Sequence, residues 1–218
     1  MNRKTLLMAF GVCGLCAHQL MAVQTTSAQS MAHPQATAQA AGVKHEPMGQ
    51  GDIVMKARAD IKGEGISGTA EFVEYKAPNT DSLDKAAWKG ALVQVTVHVM
   101  GLKPGLHGMH LHAVGTCSPD FAAAGGHFDP GPAGNMDPDA NHPYHMGDLP
   151  NLFVNAEGHG TASAMTSRVT LSDGPLSVFD TDGTAIIIHA SPDKGITGEP
   201  KSGVGGGARL ACGVLQKQ

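Results

Sequence analysis

The chain is poor in aromatic side chains and poor in charge: Phe, Trp and Tyr make up 4 % of its 218 residues and Asp, Glu, Lys and Arg only 16 %. Its 41 % hydrophobic content can still build a core, but with 29 Gly and so few rings that core must be filled by small and β-branched side chains. This favours a turn-rich β fold over a helical bundle. Basic clusters are absent. Fifteen Lys and Arg against 19 Asp and Glu give a net charge of −4, which argues against nucleic acid as the main partner, because a phosphate backbone calls for a basic stripe. The sequence also lacks a clean membrane span, since the apolar run from Leu6 to Val23 is broken by Gly11, Gly14, His18 and Gln19. The length predicts one domain with tails.

Arg3 and Lys4 precede that run and Thr26-Ser27-Ala28 follow it, so residues 1–28 read as a secretory signal removed after Ala28. No stable membrane insertion is expected once it is gone. Cys13 and Cys16 leave with it, and Leu15 stands where a lipid-attachment motif needs a small residue. Losing Arg3 and Lys4 takes the net charge from −4 to −6 and leaves only Cys117 and Cys212. Two cysteines in an exported chain predict one disulfide and a periplasmic or secreted location. On loop entropy, closing 95 residues is worth roughly 4 to 5 kcal/mol. Residues 29–52 hold Ala, Gln, Gly, Pro and His with little to pack, and read as a disordered leader in which His33 and His45 are solvated.

From residue 53 to 218 strand patterns dominate: Ile53–Ile61, Ile66–Tyr75, Leu92–Leu102, Leu149–Val154, Gly160–Leu171, Ala185–His189 and Ala208–Leu215. One short helical patch is expected at Ser82–Trp88. About eight strands in one domain predict an all-β, antiparallel sandwich or flattened barrel. Two long segments, Gly115–Gly147 and Ser191–Gly207, do not fit as strands. Loops of that length in a compact domain are usually functional or disordered, and the histidines of the first point to function.

The chain has 12 His. His110 and His112 form an H-x-H at the end of the Leu92–Leu102 strand, and residues two apart in a strand share a face, so both can reach one metal ion. A cupin reading fails, because Ala113-Val114-Gly115-Thr116 offers no Glu after the pair. His127 lies in Gly-Gly-His-Phe-Asp-Pro, His142, His145 and Asp148 recur at intervals of three, and His189 ends an Ile run. These imidazoles and their carboxylate would be costly to bury without partners, so a metal centre is expected.

Gly-Leu-His-Gly-Met-His-Leu-His, Gly-Gly-His-Phe-Asp-Pro, His-Met-Gly-Asp-Leu-Pro, Ile-Ile-His-Ala and Gly-Ala-Arg-Leu-Ala-Cys-Gly-Val occur in that order between Ile53 and Leu215. This set closely resembles the copper/zinc superoxide dismutases, particularly the bacterial exported ones. The resemblance implies a Greek-key β-sandwich or flattened barrel and disproportionation of superoxide. It implies one copper per subunit on His110, His112, His127 and His189, and one zinc on His127, His142, His145 and Asp148, with His127 bridging and carrying a proton. It further implies Asp193 as the carboxylate linking both sites, Arg209 as the guanidinium offered to the anion, and His107 as a structural neighbour of the copper pair; because a chain of net charge −6 must still attract an anion, Lys201 is expected as a weaker contributor beside Arg209. His98 and His159 fit no motif. The family usually places a zinc ligand well upstream of its His-x-x-Asp pair, yet no His occurs here between His127 and His142. His142 is therefore the expected ligand, with Asp137 or Asp139, or an incomplete site, as the alternatives. A homodimer is compatible with the resemblance. The rival to an enzyme is a copper carrier of the same fold, and a zinc hydrolase is disfavoured because no Glu lies near the His cluster to act as base.

Overall fold

The computed structural model describes residues 52–76, 92–131, 134–140 and 142–218. The expected signal, the leader up to residue 51 and the helical patch at Ser82–Trp88 lie outside the described residues.

Among the described residues ten strands pair into one antiparallel sheet. They are β1 (Ile53–Gly63), β2 (Ile66–Tyr75), β3 (Leu92–Met100), β4 (Gly105–His107), β5 (Met109–His112), β6 (Leu152–Val154), β7 (His159–Thr166), β8 (Ala185–His189), β9 (Arg209–Val214) and β10 (Gln216–Lys217). The order across the sheet is β4-β6-β7-β3-β2-β1-β9-β8-β5, with β10 on β1. The two end strands, β4 and β5, are halves of one run separated by Gly108 alone. The chain from Gly105 to His112 therefore lies along both edges, and Gly108 itself pairs with the end of β8 through its N–H to Ser191 O and its carbonyl from His189 N. This nearly closes the sheet into a barrel, which leaves few edge groups unpaired.

Alternation fills the interior. Val93, Val95, Val97 and Val99 of β3 face Ala57, Ala59 and Ile61 of β1, Phe72 of β2 and Ile186 and Ile188 of β8 in one cluster. Met109 and Leu111 of β5 join it, so His110 and His112 point to the outer face. On the outer side of β8, Ala185 and Ile187 form a second cluster with Cys212 and Ala124, against which Cys117 and Phe121 pack. Cys117 and Cys212 are disulfide-bonded, as the sequence predicts.

Several expected boundaries are corrected. β3 stops at Met100 rather than Leu102, because Gly101 turns the chain at φ 91°. The H-x-H pair consequently sits on its own strand, not at the end of β3. β6 begins at Leu152 rather than Leu149, since Pro150 has no N–H for a ladder. β7 ends at Thr166; beyond it Val169 and Leu171 are buried plugs instead of strand residues. Leu171 N, Ser172 N and Ser172 Oγ all donate to the buried carboxylate of Glu74, at 2.6, 2.7 and 2.7 Å.

Candidate metal centre

The long segment after β5 is laid against that strand by backbone hydrogen bonds. Ala113 N donates to Gly126 O, Phe128 N to Leu111 O, Leu111 N to Gly147 O and Gly147 N to Phe128 O, all at 2.8 to 3.0 Å. His112 thereby pairs with His127 and His110 with Asp148. Gly147 is needed for this approach: a Cβ there would lie 2.5 Å from Leu111 O. On the other side, Gly206 at φ 102° passes so close to His189 that a Cβ would meet the His189 Cβ at 2.8 Å.

Two donor sets result. One atom each of His110, His112, His127 and His189 lie within 4.8 Å of one another, and all four residues are buried. Outer ring nitrogens are tied back. His112 Nδ1 donates to Gly125 O and His189 Nδ1 to Gly207 O, both at 3.0 Å, and His110 Nε2 donates to Asp193 Oδ2 at 3.0 Å. Such outer partners fix tautomer and ring direction. They leave lone pairs pointing inward: His112 Nε2 and His189 Nε2 stand 3.4 Å apart, and His110 Nδ1 and His127 Nε2 are buried with no partner. Converging buried lone pairs without a proton or cation between them are unfavourable, so the chemistry of this donor set fits a metal ion.

The second set gathers around Asp148. His127 Nδ1 is 2.9 Å from Asp148 Oδ1, His145 Nδ1 3.0 Å from Oδ2, His142 Nδ1 3.3 Å from Oδ2, and His127 and His145 Nδ1 are 3.3 Å apart. Proximity of donor atoms alone groups His110, rather than His145, with His127, His142 and Asp148. His145 lies against the same carboxylate, while His110 spends Nε2 on Asp193 and has its Nδ1 without a partner. Asp193 spans the sets, since its Oδ1 is 2.5 Å from His142 Nε2 while Oδ2 holds His110.

Neither alternative carboxylate is directed this way. Asp139 Oδ1 and Oδ2 accept from Gly205 N and Gly203 N, both at 3.0 Å, and Asp137 Oδ1 caps Asp139 N. The segment from Asn135 to Asp139 thus secures the glycine-rich loop instead.

Electrostatics favour neutral imidazoles in the first donor set. Burial pushes His127 down to about 4 and His189 down to about 3, and holds His112 well below and His110 below the ordinary value. For Asp148 burial alone would raise the pKa, but hydrogen bonds from His127 and His145 win and hold it well below the carboxylate range. Asp193 is depressed likewise against its burial, by His110 and His142. In His145 burial is outweighed by Asp148, and the value rises. The four imidazoles of the first set are thus held in the deprotonated state that metal binding requires.

Arg209 Nη1 donates to Phe121 O and Nη2 to Gly125 O, each at 2.5 Å. It lines a cleft of about 610 Å³ together with His189, Lys201 and Asp139. His107 is buried with Nδ1 2.7 Å from His189 O and Nε2 2.9 Å from Lys103 O, a brace beside the centre. His98 and His159 lie away from it, on the exposed face of β3 and β7. Sequence reading missed Asn151, whose side chain holds the Asp193 backbone at both N and O (2.9 Å each). It also missed Arg168, which donates to Pro143 O and His145 O.

A family profile described as copper/zinc superoxide dismutase matches residues 66–215. A superoxide dismutase [Cu-Zn] of Caulobacter vibrioides is 40 % identical over 130 residues, covering 57 % of this chain and 71 % of that protein. The one of Photobacterium leiognathi is 34 % identical over 188 residues, covering 83 % and 95 %. The crystal structure of the clock protein EA4 superposes with a TM-score of 0.58 at 24 % identity, over 75 % of this chain and 95 % of that one, and so shares the fold. With fold, donor sets and relatives in agreement, the chain belongs to the copper/zinc superoxide dismutase family.

Proposed function

We propose that this protein is an exported superoxide dismutase that turns two superoxide ions and two protons into dioxygen and hydrogen peroxide. The observation that carries the reading is the pair of adjoining donor sets that meet at His127. Copper would be held by His110, His112, His127 and His189, whose four imidazoles suit its tetragonal preference. Zinc would be held by His127, His142, His145 and Asp148, a three-nitrogen, one-oxygen set suited to a tetrahedral ion. When bound, copper supplies the one-electron chemistry that oxidises one superoxide and reduces the next, and zinc supplies none.

The remaining work falls to the chain. Asp193 keeps His110 and His142 in register, so neither set can shift without the other. His127 Nε2, buried without a protein partner, is the atom at which a proton for the product can be held. Arg209, immobilised by two carbonyls beside His189, presents a fixed guanidinium to an anion entering the cleft. A chain of net charge −6 after signal removal needs that local attraction, and Lys201 on the same cleft adds to it. The disulfide supports a periplasmic or secreted location.

The test is metal analysis of the purified protein followed by superoxide consumption after loading with copper and zinc. Stoichiometric binding of both metals with rapid consumption supports the reading. Full copper loading with no consumption would overturn it in favour of a copper carrier.

A further inference from the structure

We propose that Arg168 is a latch on the turn carrying His142 and His145, and that the cleft it closes is the route by which zinc enters and leaves. The inference rests on the zinc assignment above. Residues 142–146 form turns rather than a ladder, so their carbonyls must find partners elsewhere. Arg168 Nη1 reaches Pro143 O at 3.0 Å and His145 O at 3.2 Å, and Thr197 Oγ1 reaches His142 O at 2.9 Å. Arg168 lies two positions beyond Thr166, the last residue of β7, and its backbone N–H is held by Thr166 Oγ1 at 3.1 Å. The guanidinium is therefore anchored to the barrel while it grips the turn on both sides of Tyr144. Its exposure lets it release without disturbing the core.

The space beneath it is a cleft of about 580 Å³ lined by Arg168, Pro143, Asp148, Asn151, Asp193 and Lys194. This opening is separate from the one lined by His189 and Arg209. The two differ in what lies at the metal end. An anion entering by Arg209 meets a fixed cation, whereas a dication entering by Arg168 meets the carboxylates of Asp148 and Asp193. Lys194 is exposed at the rim while both carboxylates are nearly buried, so the attraction grows inward. Swinging Arg168 aside removes a positive charge from the path and frees the carbonyls of Pro143 and His145 together.

The test uses the copper- and zinc-loaded protein, challenged with excess chelator, with release of each metal followed separately. Arg168→Ala should release zinc roughly tenfold faster or more, because each hydrogen bond from a charged donor is worth about that factor. Copper release should stay within about twofold. Both bonds leave from the single nitrogen Nη1, so Arg168→Lys, which keeps the charge and several donors on a stem one bond shorter, should fall between. Zinc release within twofold of wild type in both variants would overturn the latch, as would equal acceleration of copper and zinc loss in both. If the wild-type protein binds no zinc, the zinc assignment itself fails, and the inference with it.

Discussion

Replacing Asp193 by Asn tests whether a carboxylate couples the two donor sets, and the geometry says which set suffers. Asp193 Oδ2 accepts from His110 Nε2 at 3.0 Å, whereas Oδ1 is approached by both His142 Nε2 at 2.5 Å and Gly195 N at 2.6 Å. Two donated N–H bonds, from His110 and Gly195, with His142 Nε2 close beside them, suit an anion. An amide offers one oxygen and one NH₂ group. The backbone N–H of Gly195 cannot turn away, so the amide must place its oxygen at the Oδ1 position and its NH₂ toward His110. Two donors then face each other, and the His110 ring must move or change tautomer, either of which misdirects its Nδ1. Loss of an outer partner of a ligating His typically costs 10- to 100-fold in metal affinity, about 1.4 to 2.8 kcal/mol. Copper affinity should therefore fall roughly 10- to 100-fold in Asp193→Asn with zinc affected less, while Asp193→Ala should weaken both. Competition against chelators of known affinity, reading each metal by mass spectrometry, measures this. Copper affinity within twofold of wild type in Asp193→Asn would refute the coupling, and a selective loss of zinc would refute the orientation argument.

Other expectations follow from individual contacts. His127→Ala should deplete both metals and His110→Ala mainly copper, and equal zinc content in His127→Ala and wild type would count against a shared ligand. His142→Ala should strongly weaken zinc binding while copper still loads, whereas Asp137→Ala should do little, as read from the metal content of each variant. Arg209→Glu should slow turnover and flatten or reverse its dependence on ionic strength, because salt would then screen repulsion instead of attraction; an unchanged salt slope removes Arg209 from substrate capture. Asp139→Ala should destabilise by about 1 to 3 kcal/mol by stranding the amides of Gly203 and Gly205. The Asp139 carboxyl is itself held below its ordinary value, since these amide bonds outweigh its burial. Its contribution is thus fully present above the ordinary carboxylate pKa of about 4 and is lost as pH falls through the lower folded value. Denaturation midpoints of the two proteins should converge on acidification, and a constant gap would contradict this origin.

How much of this was legible beforehand depended on sequence distance. Alternation put His110 and His112 on one face, and the absence of any imidazole between His127 and His142 pointed to His142; both are local readings. The strand runs were legible as well, but not their ends, which Gly101 and Pro150 decide through backbone chemistry. Closure of the barrel was not legible, because it requires the single run Gly105–His112 to pair with β6 on one side and β8 on the other. The residues that hold the ligands were the least legible. Asn151 acts on Asp193 across 42 positions and Arg168 on His145 across 23, and an isolated Asn or Arg carries no periodicity that would reveal such a role. Asp139 stood in the sequence only as an alternative to His142, and the glycine amides that its carboxylate accepts from lie more than sixty positions away.

The disulfide connects this wiring to the cleft. Cys212 lies three positions beyond Arg209, with β9 carrying both, and its bond to Cys117 fixes the start of the segment that leads into the short 3₁₀ turn Phe121–Ala124. That turn is capped by Asp120 and ends at Gly125, and the carbonyls at its two ends, Phe121 O and Gly125 O, hold Arg209. Gly125 O also accepts from His112 Nδ1. One carbonyl therefore positions both the guanidinium and an imidazole of the first donor set, and that carbonyl is itself held on a loop tied covalently to the strand that carries Arg209. Reduction would leave the barrel core in place, because Val, Ile and Leu side chains make it, but would free the loop to carry Gly125 away from both partners at once. The cysteine pair thus sets the geometry of the cleft lined by Arg209 as well as limiting the unfolded chain.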